Sequence, residues 1–541
     1  MLIHFCRKEY RIMKMRSTIS SLTFFIFTAY LISCVISTCI PSAAFCAEEA
    51  KKKNQLTPDR IGIEGAITDE MIKKMSESLQ KDVATKRLED AVVGNRLKNI
   101  ALNHDVLKDN NPYFSHEIKT AKITDQRNSG RCWLFAGLNV LRPAVIDKIH
   151  WDEFEFSQVY LFFWDKLEKS NIFLERVIER SKLDERDENY QRILKQASDD
   201  GGWWEYFSYL VKKYGVAPKS AMPETEGSMA TGEMNRQLVD RLHQAAATIH
   251  KMAAEGKKKD VLRKEKEKCL ADIYRILVFH FGEPPKEFTF RYKSKIEEES
   301  KMAEVVKLYD TISKQAGKED FTQTEAFKEL TKEKVSPLKT YTPRAFAEEF
   351  VIPDLDEYVN LGNIPGRPLN ENYLMETSKM MVEGDDLKFL NVSVEDVKLA
   401  TLQSVLNDDP VWFAADVGRQ VDSSTGIMHP ELYKFKDVYG IDFQIDKGDR
   451  VLYGDIDPNH AMVFIGVDYV DNKVIKWLVE NSWGTSPGRG GLFHMYDGWF
   501  DEYVLMTIVK KKYLPKRLTD MLEKKPTLIK EQDPLGRIFY D

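Results

Sequence analysis

Between residues 401 and 512 the apolar residues gather into short runs, such as Val411-Trp412-Phe413-Ala414 and Val474-Ile475-Lys476-Trp477-Leu478-Val479. Runs that short, rich in β-branched and aromatic residues, form strands. The chain before them is patterned differently. Residues 119–225 hold Phe154, Phe156 and the cluster Tyr160-Leu161-Phe162-Phe163-Trp164, which reads as a buried helix. From 226 to 400 the pattern is one of long charged helices, in which Lys257-Lys258-Lys259 and Arg263-Lys264 are partly balanced by Glu265 and Glu267. Such a run is a solvated helix face rather than a nucleic-acid contact. A helical first half, a helical insertion and a β-rich second half, with no internal repeat, predict an α+β fold whose working parts come from both ends.

The 541 residues exceed what one hydrophobic core can serve, so several packed subdomains are expected. Residues 48–118 read as a polar N-terminal helical arm packing on the body. Thr68-Asp69-Glu70 can start a helix there, with Met71, Met75 and Leu79 at four-residue spacing. With 79 basic and 85 acidic residues the net charge is −6, which gives no whole-protein attraction to phosphate backbones, so nucleic acid is not an expected partner. Cys6, Cys34, Cys39 and Cys46 lie near the N-terminus, and only Cys132 and Cys269 follow, so the body has no disulfide framework. No cysteine or histidine motif with zinc-ligand spacing follows Glu48. The chemistry therefore falls to side chains, with no cofactor or metal expected.

The stretch from Ser17 to Ala47 carries no charged residue, while Arg7, Lys8, Arg11, Lys14 and Arg16 precede it and Glu48 and Glu49 follow. This marks residues 1–47 as an export signal or a membrane anchor, and the protein as exported to a periplasm or the exterior. Pro41 and Ser42-Ala43-Ala44 favour cleavage near Ala44 or Cys46. Two other readings stay open: Leu31-Ile32-Ser33-Cys34 is a lipobox-like sequence, and the run is long enough to span a bilayer uncleaved. Contact with a membrane is expected only through this segment.

Two places carry candidate chemistry. Gln126-Arg127-Asn128-Ser129-Gly130-Arg131 is a polar, Gly-containing turn that runs into Leu134, Leu138 and Leu141 on one helical face. Cys132 thus falls at a helix N-terminus, where unpaired N–H groups and the positive dipole end favour a thiolate. Farther on, His460 opens the run Ala461 to Ile465, and Asn481 closes the run Val474 to Glu480, with a turn-forming Asp-Asn pair between Asp468 and Lys473. If the runs pair as a hairpin with Val467 facing Val474, the same register sets His460 opposite Asn481.

These stretches resemble papain-like cysteine peptidases, and most sharply the branch of bleomycin hydrolases and bacterial aminopeptidases C. The resemblance is carried by Ser129-Gly130-Arg131-Cys132-Trp133, Glu153-Phe154-Glu155-Phe156-Ser157-Gln158, Tyr160 to Lys166, Tyr214-Gly215-Val216 and Val479-Glu480-Asn481-Ser482-Trp483-Gly484, and it covers roughly Leu56 to Gly536. It implies a papain-like fold with Cys132 as nucleophile, His460 as base and Asn481 as orienter under the shield of Trp483. Gln126 and the Cys132 N–H would form the oxyanion hole. Gly201-Gly202 sits where the family lays substrate backbone along the cleft, although a turn before a helix at Tyr206 to Tyr214 explains the pair as well. Cys269, near Ile273, Ile276 and Leu277, reads as packing.

The resemblance further implies a homohexamer acting on peptides with a free N-terminus, in which a C-terminal arm, here 513–541, reaches the cleft. There the terminal carboxylate, here Asp541, meets the substrate's ammonium. The family is usually intracellular, which sets it apart from a chain with an export segment. Ser129 stands where papain has a further cysteine, and Arg537-Ile538-Phe539-Tyr540-Asp541 is bulkier than the family tail, which raises self-trimming as an expectation. An open-cleft endopeptidase and a catalytically silent scaffold are the competing functions.

Overall fold

A computed structural model describes residues 65–79, 82–294, 298–313, 325, 334–351, 353–530, 533 and 535–536. The expectations for the segment 1–47 and for Asp541 fall outside these residues. Two compact units make up the chain, Met1–Asp90 and Ala91–Asp541. In the first, helix Asp69–Ser78 starts as expected, because the Thr68 hydroxyl accepts the Met71 N–H at 3.2 Å and so satisfies an otherwise orphaned donor. Met71, Met75 and Leu79 are exposed.

In the second unit the helix Cys132–Ile149 is apolar on every side and almost entirely buried, so it forms the centre of a layer rather than its surface. Helix Gln158–Glu179 packs beside it, capped by Ser157, whose hydroxyl accepts the Tyr160 N–H. Tyr160 to Phe163 are buried on it. Trp204–Tyr214 packs on both helices, and Gly232–Ala254 and Lys259–Phe281 add a pair against Gln158–Glu179. The charged run of that last helix is partly spent on its neighbour, since Arg263 and Lys266 pair with Glu175, and Lys259 with Glu179. Cys269 on the same helix is fully buried, and burial pushes its thiol up to about 11.

The sheet is built around the strand His460–Val470, buried along most of its length. Val411–Ala415 pairs with it on one side and Lys473–Glu480 on the other, and Leu492–Tyr496 continues outward from the latter. On the far side of Val411–Ala415 comes Val504–Lys510, followed by Tyr358–Gly362, Lys388–Asn391, Glu371–Met375 and Thr527–Ile529. The Cys132 helix packs on the His460 strand.

Two sequence expectations need correction. The region 226–400 is not helical throughout. Strands Tyr358–Gly362, Glu371–Met375 and Lys388–Asn391 lie within it and belong to the main sheet. These runs are only four or five residues long, and the charges between them mask their apolar content. The hairpin is also tighter than expected. Asp471 and Asn472, with φ of 50° and 59°, form a two-residue turn between Val470 and Lys473. Irregularities at Phe464/Gly466 and Asp468/Tyr469 shift the register again, so Val467 faces Trp477 and the ladder ends at Val463 opposite Glu480.

Candidate active site

Cys132 is the first residue of its helix. Arg131 precedes it at φ −87°, ψ 13°, and its carbonyl takes the N–H groups of Leu134 and Phe135. The N–H groups of Cys132 and Trp133 have no partner farther back in the helix and turn toward the thiol, as does the N–H of Ala461, the residue after His460. Helix and central strand therefore meet at the sulfur. Of the described cysteines only Cys132 is accessible.

His460 pairs by backbone with Ala415, not with Asn481. Its ring nevertheless reaches Asn481, with Nε2 2.8 Å from Oδ1, because the chain leaves the ladder after Glu480 and bends back across the strand end. An amide oxygen only accepts, so Nε2 carries the proton and Nδ1 is left as the acceptor. The Ser482 N–H also donates to that oxygen at 2.7 Å and fixes the amide. Trp483 stacks on the imidazole with centroids 4.6 Å apart. His460 and Asn481 are thus neighbours, as the sequence suggests, by a side-chain reach rather than by register.

Gln126 is brought alongside by a short pairing that sequence reading missed. Its N–H donates to the Ser482 carbonyl at 2.8 Å, and the Gly484 N–H donates to the Thr124 carbonyl at 3.0 Å. The Ser482 hydroxyl donates to Gln126 Oε1 at 2.6 Å, so the amide nitrogen points the other way, where it donates to the Ser129 carbonyl at 2.6 Å. No local signal placed Ser482 against this turn, since its partner lies 356 residues away in the chain.

A cleft of about 420 Å³ runs past Gln126, Cys132 and His460 and is also lined by Gly201, Gly202 and Trp203. Gly201 opens to it freely, whereas a Cβ at Gly202 would come within 2.5 Å of the Trp133 indole. Only glycine lets the backbone lie flat on that ring. Among the described residues no group of three or more His, Cys, Asp or Glu side chains is placed to hold a metal ion, and no helix is long and apolar enough to cross a membrane.

Burial sets the protonation of the isolated groups. It pushes the Cys132 thiol up, against the pull of the Ala461, Trp133 and Cys132 N–H groups, and it lowers the His460 imidazole to about 4, against the Asn481 hydrogen bond. Each group alone is held neutral. Moving the proton from sulfur to Nδ1 would place opposite charges on two groups of the same cleft, each offsetting part of the other's burial penalty. This arrangement can generate a thiolate nucleophile and an acid for a leaving group in one step.

A thiol at a helix N-terminus facing a strand-borne His–Asn pair under a tryptophan defines a papain-like cysteine peptidase. The chain belongs to the Peptidase C1-like family, whose model matches residues 66–311 and 296–536. It is 35% identical to aminopeptidase C of Listeria innocua, over 79% of this chain and 88% of that protein. It is 33% identical to aminopeptidase C of Listeria monocytogenes, over 87% and 99%. The solved structure of PepW from Lactobacillus rhamnosis superposes with a TM-score of 0.78 at 33% identity, covering 87% of this chain and 99% of that one.

Proposed function

We propose that the protein is a cysteine aminopeptidase that removes N-terminal residues from peptides, with Cys132, His460, Asn481 and Gln126 as its machinery. The observation that carries the chemistry is that the Cys132 thiol takes the N–H of Ala461, next to His460, and that Cys132 and the Asn481-bound His460 line one cleft. The relatives named aminopeptidase carry the choice of substrate. The Cys132 sulfur attacks the scissile carbonyl carbon, and the C=O π pair moves to oxygen. The Cys132 N–H and the second N–H of the Gln126 amide stabilise that oxyanion, each worth roughly 3 kcal/mol in sites of this kind. Collapse breaks the C–N bond while the His460 imidazolium protonates the departing amine. Water, deprotonated by His460, then cleaves the thioester and restores the thiol–imidazole pair. Gly201-Gly202 holds the substrate backbone.

Exopeptidase register is assigned to the C-terminal arm, with the carboxylate of Asp541 meeting the substrate ammonium, after trimming if the longer tail overfills the cleft. A hexameric assembly, and export directed by residues 17–47, belong to the same proposal. Size-exclusion chromatography with light scattering tests the assembly, and N-terminal sequencing of cell fractions tests the export. The central experiment compares a fluorogenic substrate bearing a free α-amine with its N-acetylated twin, in wild type and Cys132→Ala. Turnover of the free amine alone, lost in the variant, is expected. Equal turnover of both substrates would identify an open-cleft endopeptidase, and turnover surviving in Cys132→Ala would remove the catalytic assignment. Intact-mass analysis of active enzyme that retains Asp541 would remove the trimming step.

A further inference from the structure

Beside the cleft lies an acidic side chain that the mechanism does not use. Asp200 precedes Gly201-Gly202, and its carboxylate receives four donors from three parts of the chain. Oδ2 accepts the Gly130 N–H at 3.1 Å and the Thr231 hydroxyl. Oδ1 accepts from Lys166 Nζ at 2.7 Å and Asn235 Nδ2 at 2.7 Å. A carboxylate offers about four acceptor positions, and all are filled. The Asp200 backbone carbonyl takes the Trp133 indole N–H at 2.7 Å. The approach to the nucleophile turn is so close that a Cβ on Gly130 would lie 2.7 Å from the Asp200 Cβ. Lys166 is fully buried on helix Gln158–Glu179, and one turn on, Lys169 pairs with Asp165 and Asp199 and donates to the Gly201 carbonyl.

We propose that Asp200 is a positioning residue that sets the distance between the Gly130–Cys132 turn and the substrate-holding Gly201-Gly202 segment, doing with hydrogen bonds and Lys166 what a covalent cross-link could do. Ser129, next to Gly130, offers no sulfur for such a link. The charge on Asp200 also reaches the nucleophile. Burial alone would raise its carboxyl, but Lys166, Thr231 and Asn235 hold it well below the usual carboxylate range, so it stays an anion and disfavours the Cys132 thiolate. Lys166 neutralises that anion, and the turn is gripped without leaving an unbalanced charge behind the sulfur.

The proposal rests on Cys132 being the nucleophile, and failure of that reading shows separately, as turnover surviving in Cys132→Ala. The test uses the full chain and a free-amine fluorogenic peptide, with rates expressed per thiol titrated by an alkylating reagent. Asp200→Asn keeps the volume but turns an amide N–H₂ toward two donors. Its kcat/KM per titrated thiol is expected to fall at least tenfold. Both limbs of its pH profile should move to lower pH, because removing a nearby anion eases ionisation of the thiol and deprotonation of the imidazolium alike. Lys166→Met leaves the anion unbalanced and should move both limbs to higher pH. A residue that merely helps folding would reduce the number of titratable thiols and leave rate per thiol and limbs unchanged. That result, or shifts of both variants in the same direction, overturns the proposal. If Asp200→Asn fails to fold, the direction of shift in Lys166→Met decides.

Discussion

The two walls of the cleft are fastened by different physics. On the helical wall, which carries Cys132, the ties are ionic and buried: Arg131 to Glu224 at 2.9 Å, Lys166 to Asp200 at 2.7 Å and Lys169 to Asp165 at 3.2 Å. On the sheet wall, which carries His460 and Asn481, the ties are ladder hydrogen bonds and stacked rings, with Phe413 on Phe464 at 3.9 Å and His460 on Trp483 at 4.6 Å. A strand holds its side chains through neighbouring strands and needs little further help at its end. A helix N-terminus is joined to an irregular turn whose backbone has no ladder, and side chains must hold it. Polar chemistry collects where regular hydrogen bonding stops.

The sharpest challenge to this division is functional. Cys132→Ala and His460→Ala should each lower kcat/KM by roughly 10⁴-fold or more, and the double variant should lose scarcely more than either single one, because groups that act as a unit are not additive. Losses that multiply in steady-state assays would mean that the walls contribute independently.

Next in size is a buried ion pair that crosses between the walls, Arg142 to Glu480 at 2.7 Å, with both side chains essentially inaccessible. Arg142→Met should cost about 3–5 kcal/mol of stability by leaving the Glu480 carboxylate buried without its partner. Denaturant unfolding reads this, and a cost near zero would show that the walls hold without their cross-tie.

Acid should separate the walls by sign. Burial lowers His460 and His494, both on the sheet wall, to about 4. Their folded values lie below the unfolded one, so the folded state resists protonation and loses stability as pH falls from about 6.5 toward 4. Burial instead raises Asp165, on the helical wall, to about 7, so its contribution improves as pH falls through that value. His494→Gln should therefore reduce the stability lost between pH 7 and pH 5 by about 2 kcal/mol, and Asp165→Asn should enlarge it. Chemical denaturation at the two pH values distinguishes these outcomes, and equal slopes in both variants would erase the distinction.

The smallest effect belongs to Ser482→Ala, which releases the Gln126 amide oxygen from its hydrogen bond. About 1 kcal/mol, or roughly fivefold in kcat with KM little changed, is expected. A change confined to KM would place Gln126 in substrate binding and not beside the oxyanion.

Much of this site could be read in the chain, for identifiable reasons. Cys132 stood out because a polar glycine turn meeting an apolar helix is a local pattern, but its role came only from the resemblance to papain-like peptidases. His460 and Asn481 declared themselves because they end two strand-like runs around a turn, although the irregular pairs near Phe464 and Asp468 made the register derived from that pattern wrong. Asp200, Ser482 and the Arg142–Glu480 pair left no local trace. Their partners lie tens to hundreds of residues away, and a charge destined for burial has the same letter as one left in water. The strands between Tyr358 and Asn391 were missed for a related reason, since runs of four or five residues are too short to outweigh the charges around them.

The Asp200–Lys166 junction beside the Cys132 turn contains no sulfur. A reductant strong enough to open a cystine cross-link would leave it untouched, and an oxidant would find nothing there to close. That junction is thereby indifferent to the redox potential of its surroundings. Among the described residues, the accessible thiol that still answers to that potential is Cys132 itself.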